Sequence, residues 1–301
     1  GIELGSALVT NSGIKAVGFT GSRAGGRALM EAAAVRPEPI PVFAEMSSVN
    51  PIFILPGAMA ERGEAIAQGL VGSVTLGAGQ FCTCPGLVFG NVSETFESTL
   101  KSGFSEITPA TMLHSGIHQN FVKGLTNLQS QDGVGTIEQV ESKEANKAGA
   151  AILKASASQF INNPKLNEEI FGPSSLVIDC NSRDEMLAAA LKLEGQLTAT
   201  IHGTDEEISE AGDLLQILEQ KAGRVIINSF PTGVEVNSSM VHGGPYPATS
   251  DGASTSVGTG AILRYTRPVS YQGFPDFGLP AELQNANPLG IARLVDGKLK
   301  H

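Results

Sequence analysis

The sequence predicts an α/β protein, and three observations lead there. Short apolar runs alternate with amphipathic stretches. One segment reads β-α-β-α-β, with a capping signal ahead of each helix. The chain has 301 residues, 41% hydrophobic and only 17% charged, so it can build a real core and is neither a disordered polyampholyte nor a small disulfide-stapled domain. A mean hydropathy of +0.06 together with 36 glycines points to many close backbone approaches.

Taken in order, Lys15 to Phe19 reads as a strand, followed by Thr20-Gly21-Ser22 and an Ala/Gly-rich helix that stops before Pro37. Pro41 to Glu45 and Pro51 to Leu55 are two further strands. Between Ala58 and Leu76 the residues Ile66, Leu70 and Val74 recur every fourth position, which marks a helix with one buried face. Leu87 to Phe89 is another apolar run. Ser175 to Asp179 is a buried strand; Ser182, with Glu185 three residues on, opens a helix to Leu193. Leu197 to His202 is the next strand, Thr204 with Glu207 opens a helix that ends near Gly223, and Arg224 to Asn228 closes the set. Right-handed crossovers make a mostly parallel sheet the default for such a unit. From Phe230 to Gly260 the text turns to Gly, Pro, Ser and Thr, and the last forty residues read as an extended arm and tail.

Several function classes drop out. No apolar run reaches the eighteen or so residues a membrane-spanning helix needs, so no membrane partner is expected. A net charge of −10 works against nucleic acid as a partner. The three cysteines, Cys82, Cys84 and Cys180, are too few and too unevenly placed for a disulfide framework, which fits a reducing, cytoplasmic setting. Cys82 and Cys84 form a C-x-C pair, but no second closely spaced pair completes a structural zinc site, so no metal is expected. His114 and His118 lie four apart with no Glu between them and read as surface histidines.

Chemistry concentrates in four places. In Gly79-Gln80-Phe81-Cys82-Thr83-Cys84-Pro85-Gly86 a cysteine stands in a glycine-flanked turn at a sheet edge, where a nucleophile can be exposed near backbone N–H donors. The competing reading is a small buried thiol. Glu45 ends a buried strand, where desolvation raises a carboxyl pKa toward that of a general base; otherwise it merely solvates the strand end. Gly21-Ser22, with Gly25 and Gly26 a turn later, places free N–H groups where a phosphate can sit, although neither a P-loop nor a full dinucleotide fingerprint is present. Glu168-Glu169-Ile170-Phe171-Gly172-Pro173 offers an acid for a ribose hydroxyl and an aromatic for a flat ring, or else an ordinary Gly-Pro turn.

In this order, Phe19-Thr20-Gly21-Ser22, Glu45-Met46-Ser47-Ser48-Val49-Asn50-Pro51, Gly79-Gln80-Phe81-Cys82 and Glu169-Ile170-Phe171-Gly172-Pro173 resemble the aldehyde dehydrogenase superfamily over nearly the whole chain. Arg36-Pro37-Glu38-Pro39-Ile40-Pro41, Phe81-Cys82-Thr83 and Met240-Val241-His242-Gly243-Gly244-Pro245-Tyr246-Pro247 are similar to its NADP-preferring branch, which includes α-ketoglutaric semialdehyde (2,5-dioxovalerate) and fatty aldehyde dehydrogenases. The resemblance implies an aldehyde dehydrogenase-like catalytic domain with a mostly parallel sheet. It implies Cys82 as the nucleophile that forms a thiohemiacetal and then a thioester, and Glu45 as the residue that activates the hydrolytic water. Thr20, Gly21, Ser22, Met46, Glu169 and Phe171 would contact NADP (or NAD), and Phe81 and Thr83 would line the pocket of a small-molecule aldehyde. Cys84 has no implied role, save a reversible disulfide with Cys82.

The resemblance also implies a division into residues 1–45 as the remnant of a cofactor-binding domain, 46–244 as the catalytic domain and 245–301 as a C-terminal arm and tail. The family's N-terminal portion, with most of the dinucleotide sheet and an oxyanion-donating asparagine, does not precede Gly1. The chain is therefore expected to be a C-terminal part, nearly inactive alone and homo-oligomeric in the full-length protein. Two alternatives stay open: a cofactor-independent thiol hydrolase, with His202 or His242 as the base, and a non-catalytic oligomerisation or interaction module.

Overall fold

The structure is a computed structural model and describes residues 1–300. The strands in chain order are β1 (Val17–Thr20), β2 (Val42–Glu45), β3 (Ile52–Ile54), β4 (Leu87–Gly90), β5 (Ala110–Thr111), β6 (Gly135–Gln139), β7 (Lys147–Ala148), β8 (Ala151–Ser156), β9 (Ser174–Asp179), β10 (Gln196–His202) and β11 (Ala222–Ile227). The helices are α1 (Ile2–Thr10), α2 (Arg23–Ala34), α3 (Pro56–Thr75), α4 (Glu94–Ser105), α5 (Ser115–Gln129), α6 (Ala157–Asn162), α7 (Arg183–Lys192), α8 (Asp205–Glu210) and α9 (Gly212–Lys221). By contacts the chain divides into two units, Gly1–Arg264 and Tyr265–His301. The second contains short 3-10 turns and an antiparallel hairpin, β12 (Arg293–Val295) with β13 (Lys298–Lys300).

The main sheet of the first unit runs in the order β11-β10-β3-β4-β9-β8-β6, every pair parallel except the edge pair β6 with β8. Its strands β3 and β4 carry no polar side chain because both faces are covered. Ile52, Ile54, Val88 and Val177 face the core beneath α3 and α4; Phe53, Phe89, Leu176 and Ile178 face the core with α6, α7 and α9. The Phe53 and Phe89 rings stack at 4.7 Å, and Phe160 meets Phe89 edge-on at 5.1 Å. A separate two-stranded parallel sheet pairs β1 with β2 and sets Thr20 opposite Glu45.

The expected elements form, with three local differences. The helix expected from Ala58 begins at Pro56, because proline fits the first helical turn, where its missing N–H costs nothing. The helix opened by Thr204 has its full capping box but breaks at Ala211, ahead of Gly212, whose backbone freedom weakens a helix. The box at Ser182 is one-sided: Ser182 Oγ accepts from the Glu185 N–H, while the Glu185 carboxylate accepts from the Asn181 N–H instead. His114 is the N-cap of α5, its Nδ1 accepting from the Gly116 and Ile117 N–H groups.

Strand β10 explains how the sheet reaches the site. Leu197, Ala199 and Ile201 point into the core, while Gln196, Thr198, Thr200 and His202 form a buried polar stripe on the other face. Gln196 Oε1 accepts from Ser48 Oγ and from the Val49 and Asn50 N–H groups. Thr198 Oγ1 donates to Asn50 Oδ1, and the Asn50 amide donates to the carbonyls of Cys82 and Cys84 at 2.9 and 3.0 Å. One buried carboxamide thus joins the sheet, the segment after Glu45 and the loop that carries Cys82.

That loop reverses through three consecutive left-handed residues, Gly77, Ala78 and Gly79, with φ of 58°, 57° and 65°. Gly79 also presses on the Gly172-Pro173 turn: a Cβ there would lie 2.2 Å from the Gly172 carbonyl carbon. Two motifs far apart in sequence are therefore in backbone contact. Gly79→Ala combines a left-handed alanine with a backbone clash and is expected to destabilise the protein by roughly 2–5 kcal/mol, read as a lower urea midpoint.

Candidate active site

Glu45 is the last residue of β2. Ala44 and Met46 on either side of it are tied to the 248–250 segment: the Met46 N–H donates to Ala248 O at 2.7 Å, and the Ser250 N–H donates to Ala44 O. This lays residues 242–256 across the end of β2, and Glu45 itself bridges to Thr249. The result is a line of three side chains, Glu45 and His242 buried and Cys82 half-buried. Cys82 Sγ lies 3.3 Å from His242 Nε2, and His242 Nε2 lies 3.3 Å from Glu45 Oε1. Ser256 Oγ donates to Glu45 Oε2 at 2.8 Å, and the His242 N–H donates to Thr255 Oγ1, which fixes the carboxylate and the backbone behind the imidazole. Glu45 and His242 are 6% and 4% exposed, so their interaction is little screened.

The electrostatics reverse one expectation. Burial does push the Glu45 carboxyl upward, as read from its strand-end position, but the hydrogen bond and charge of His242, aided by Ser256, outweigh it and hold Glu45 below the ordinary carboxylate range. Burial likewise pulls His242 down, yet its contacts with the Cys82 sulfur and the Glu45 carboxylate win and raise it to about 9. Near neutral pH the pair is carboxylate and imidazolium. The group that can exchange a proton with the thiol is His242, named from the sequence only in the hydrolase alternative. His202 is not that base: it lies on β10 against the Phe230 ring, with neither ring nitrogen bonded, and burial with the Arg62 charge pulls it down to about 4.

The other expected site residues sit around this line. Phe81 packs its ring against Gly77. Thr83 is fully buried, its Oγ1 unpartnered and its carbonyl accepting from Thr232. Cys84 turns its sulfur toward Val74 O while Cys82 faces His242, so the two thiols address different partners and the geometry gives their disulfide no support. Thr20 lies at the open end of β1, the Gly21 N–H donates to Glu45 O, and Ser22 caps α2 by accepting from the Gly25 N–H. Because the Met46 N–H is already taken by Ala248, any ligand contact there falls to its carbonyl. The Glu169 carboxyl is hydrogen-bonded to Ser47 and to the Ser48 backbone, and burial pushes it up to about 7. Phe171 is 37% exposed beside it.

A cleft of about 720 Å³ opens at the N-terminus of α2, lined by Ser22, Arg23, Ser47, Lys165, Glu169 and Lys192 among others. The lining also includes Glu168, Glu169 and Glu194, and Arg23 is ion-paired with Glu194, so the charges of the cleft are mixed; a helix N-terminus suits a phosphate and a carboxylate suits ribose hydroxyls, and to that extent the residues present fit the nicotinamide half of a dinucleotide.

The thiols should differ in reactivity. Burial pushes both Cys84 and Cys180 up to about 12, so at pH 8 roughly one in ten thousand of either is thiolate. Iodoacetamide with peptide mapping should label Cys82 at least about tenfold faster than the other two. Stability should follow the pair as well. The pKa of His242 rises on folding from 6.5 to about 9, so its contribution is complete below about 6.5 and is lost as pH rises through about 9. That of Glu45 is lowered, so its contribution is lost on acidification through its folded pKa. Urea midpoints measured against pH should fall at both ends, and the alkaline fall should be shallower in His242→Gln.

Residues 1–267 match the aldehyde dehydrogenase family. The chain is 48% identical over 302 residues to an α-ketoglutaric semialdehyde dehydrogenase 2 of Azospirillum brasilense and 46% identical over 304 residues to an α-ketoglutaric semialdehyde dehydrogenase of Acinetobacter baylyi. In each case 99% of this chain is covered, and it spans 58% of the relative's length. Among solved structures, a mutant aldehyde dehydrogenase from Bacillus cereus superposes with a TM-score of 0.73 at 21% identity, covering 87% of this chain and 52% of that one. The aldehyde dehydrogenase KauB from Pseudomonas aeruginosa does so with 0.73 at 18% identity, covering 88% and 53%. With its sheet, its cysteine turn and its strand-end glutamate arranged as described, the chain belongs to the aldehyde dehydrogenase family.

Proposed function

We propose that the whole protein oxidises a small aldehyde to a carboxylate, that the aldehyde is α-ketoglutaric semialdehyde, and that the electron acceptor is NADP. What carries the reading is the meeting of Cys82, His242 and Glu45 at 3.3 Å spacings beside a phosphate-suited cleft. The names of two relatives more than 45% identical support the substrate.

As Cys82 Sγ attacks the carbonyl carbon, the His242 imidazolium gives its Nε2 proton to the carbonyl oxygen and takes up that of the thiol, giving a thiohemiacetal. The nicotinamide, when bound, supplies the acceptor for the hydride that leaves that carbon. Release of the hydroxyl proton to solvent together with that hydride leaves a thioester on Cys82. His242 and Glu45 hold water against it, and the proton of the attacking water is taken up by the pair as the carbon–sulfur bond breaks and the thiolate returns. Ser22, Arg23 and Glu169 would hold the cofactor at the α2 terminus, with the Met46 carbonyl and Phe171 near the nicotinamide. The three free thiols suit a cytoplasmic protein. Apolar side chains left on the surface, such as Val35, Leu113 and Leu191, suit an oligomer.

The acid end of the substrate has a candidate partner in Arg224. This residue follows Gly223, whose backbone packs against Gly243, the neighbour of His242. Its Nη2 donates to Pro231 O, its Nε is buried without a partner, and its charge is felt at Cys82. A half-buried guanidinium with an unused donor beside the nucleophile suits a substrate carboxylate.

NADPH formation by the whole protein with α-ketoglutaric semialdehyde tests the reaction, and its absence with this and other short aldehydes would overturn it. Arg224→Gln should raise KM for the semialdehyde about 10- to 100-fold while leaving propionaldehyde oxidation within about twofold. Equal losses on both aldehydes would remove Arg224 from substrate recognition.

A further inference from the structure

We propose that Cys82, His242 and Glu45 form a binding site for a zinc ion, whose occupancy reversibly shuts the nucleophile off. Among the described residues these three form the one group of metal-ligating side chains that converges, one donor atom from each lying within 4.8 Å of the others. The donors are a sulfur, an imidazole nitrogen and a carboxylate oxygen, the set zinc accepts in three-ligand sites that keep a fourth position open. It is not the C-x-C pair that the sequence displays: the Cys84 sulfur points away toward Val74 O.

The spacing is what makes the group a site. Zinc bonds of about 2.3 Å to sulfur and about 2.0–2.1 Å to nitrogen and oxygen, at tetrahedral angles, place donor atoms about 3.3–3.6 Å apart. Two of the three separations here are already 3.3 Å, Sγ to Nε2 and Nε2 to Oε1. The third, Sγ to Oε1, lies within 4.8 Å, so at most about 1.3 Å of movement closes the triangle. The outer shell is also in place. Ser256 Oγ donates to Glu45 Oε2 and leaves Oε1 for the metal, and the Ser256 N–H donates to His242 O at 2.8 Å. Each ligand comes from a different segment, the end of β2, the loop after α3 and the chain after β11, and each is buried or half-buried. Thiol and carboxylate supply two negative charges for a divalent cation in a little-solvated place.

Binding is a ligand exchange with no redox change. The Cys82 thiol and the His242 imidazolium each release one proton to solvent, three protein–zinc bonds form, and one water stays on the metal. While zinc is bound, Cys82 has no free thiolate to attack a carbonyl or an alkylating agent. The inference stands on donor geometry alone and needs neither an aldehyde nor a nucleotide.

Cobalt(II) is the probe, because a thiolate ligand gives it a charge-transfer absorption in the near ultraviolet and a tetrahedral site gives it intense visible bands. Titrating the reduced protein should give both at one cobalt per chain, with zinc displacing the cobalt. Cys82→Ser should abolish the charge-transfer band and Cys84→Ser should leave it unchanged. Glu45→Gln and Ser256→Ala should each weaken zinc at least about tenfold, with urea midpoints reporting that both fold. Zinc should also block iodoacetamide labelling of Cys82, and EDTA should restore it. A cobalt spectrum without the charge-transfer band, or one that survives Cys82→Ser and vanishes in Cys84→Ser, overturns the proposal, as does zinc affinity unmoved by Glu45→Gln. Failure of aldehyde oxidation leaves these readouts intact, so the two readings fail separately.

Discussion

The carboxamide of Asn50 is the contact on which the site depends. Its amide holds the carbonyls on both sides of Thr83, its oxygen accepts from Thr198, and its backbone N–H reaches Gln196. Buried polar groups joined in this way each lose their partner if one member goes, so the network behaves as a unit. Through it the Cys82 turn and the segment leaving Glu45 are referenced to the same strand of the main sheet. Asn50 adopts a φ of 45°, a left-handed conformation that asparagine tolerates better than most residues. The position thus asks for a residue with both that backbone tolerance and a two-ended hydrogen-bonding side chain.

Strain and charge are concentrated beside that anchor. Ala78, buried and left-handed between two glycines, stands four residues before Cys82, and such a conformation persists only where the surroundings over-determine it. Here the contact of Gly79 with the Gly172-Pro173 backbone does so. The Glu45–His242 pair places a carboxylate and an imidazolium in a buried setting, where desolvation opposes both. Mutual contact and the Ser256 hydroxyl compensate. A lone carboxyl at a strand end is held in its neutral form by burial, whereas the same carboxyl against an imidazolium is held ionised. The imidazole stands between the two, 3.3 Å from the Cys82 sulfur and 3.3 Å from the Glu45 carboxylate.

Much of the fold was legible because its signals are local. The run Ile52-Phe53-Ile54 is apolar at every position since both of its faces are buried, and Thr204 with Glu207 announces a helix by two hydrogen bonds within one turn. The break at Ala211 was less legible, since one glycine tips a helix only when tertiary contacts let it. Cys82 and Glu45 stood out by their settings, a glycine-flanked turn and a strand end. Arg224 did not, because an arginine opening a strand becomes distinctive only when its Nε is left buried and unpartnered near a thiol.

By itself the sequence determined the alternation of strands and helices, the caps and the family, and it singled out Cys82 as the candidate nucleophile. All of these rest on contacts within a few residues or on motif order along the chain. Only the tertiary structure decided what Cys82 faces. His242 lies 160 positions from Cys82 and 197 from Glu45, and residues 242–256 carry no periodicity that would announce their return to the end of β2. The protonation of the pair, the choice of His242 over His202 and the convergence of sulfur, nitrogen and oxygen donors all follow from that return. Electrostatic coupling depends on distance through space and on burial, and neither is written in the spacing of residues along the chain.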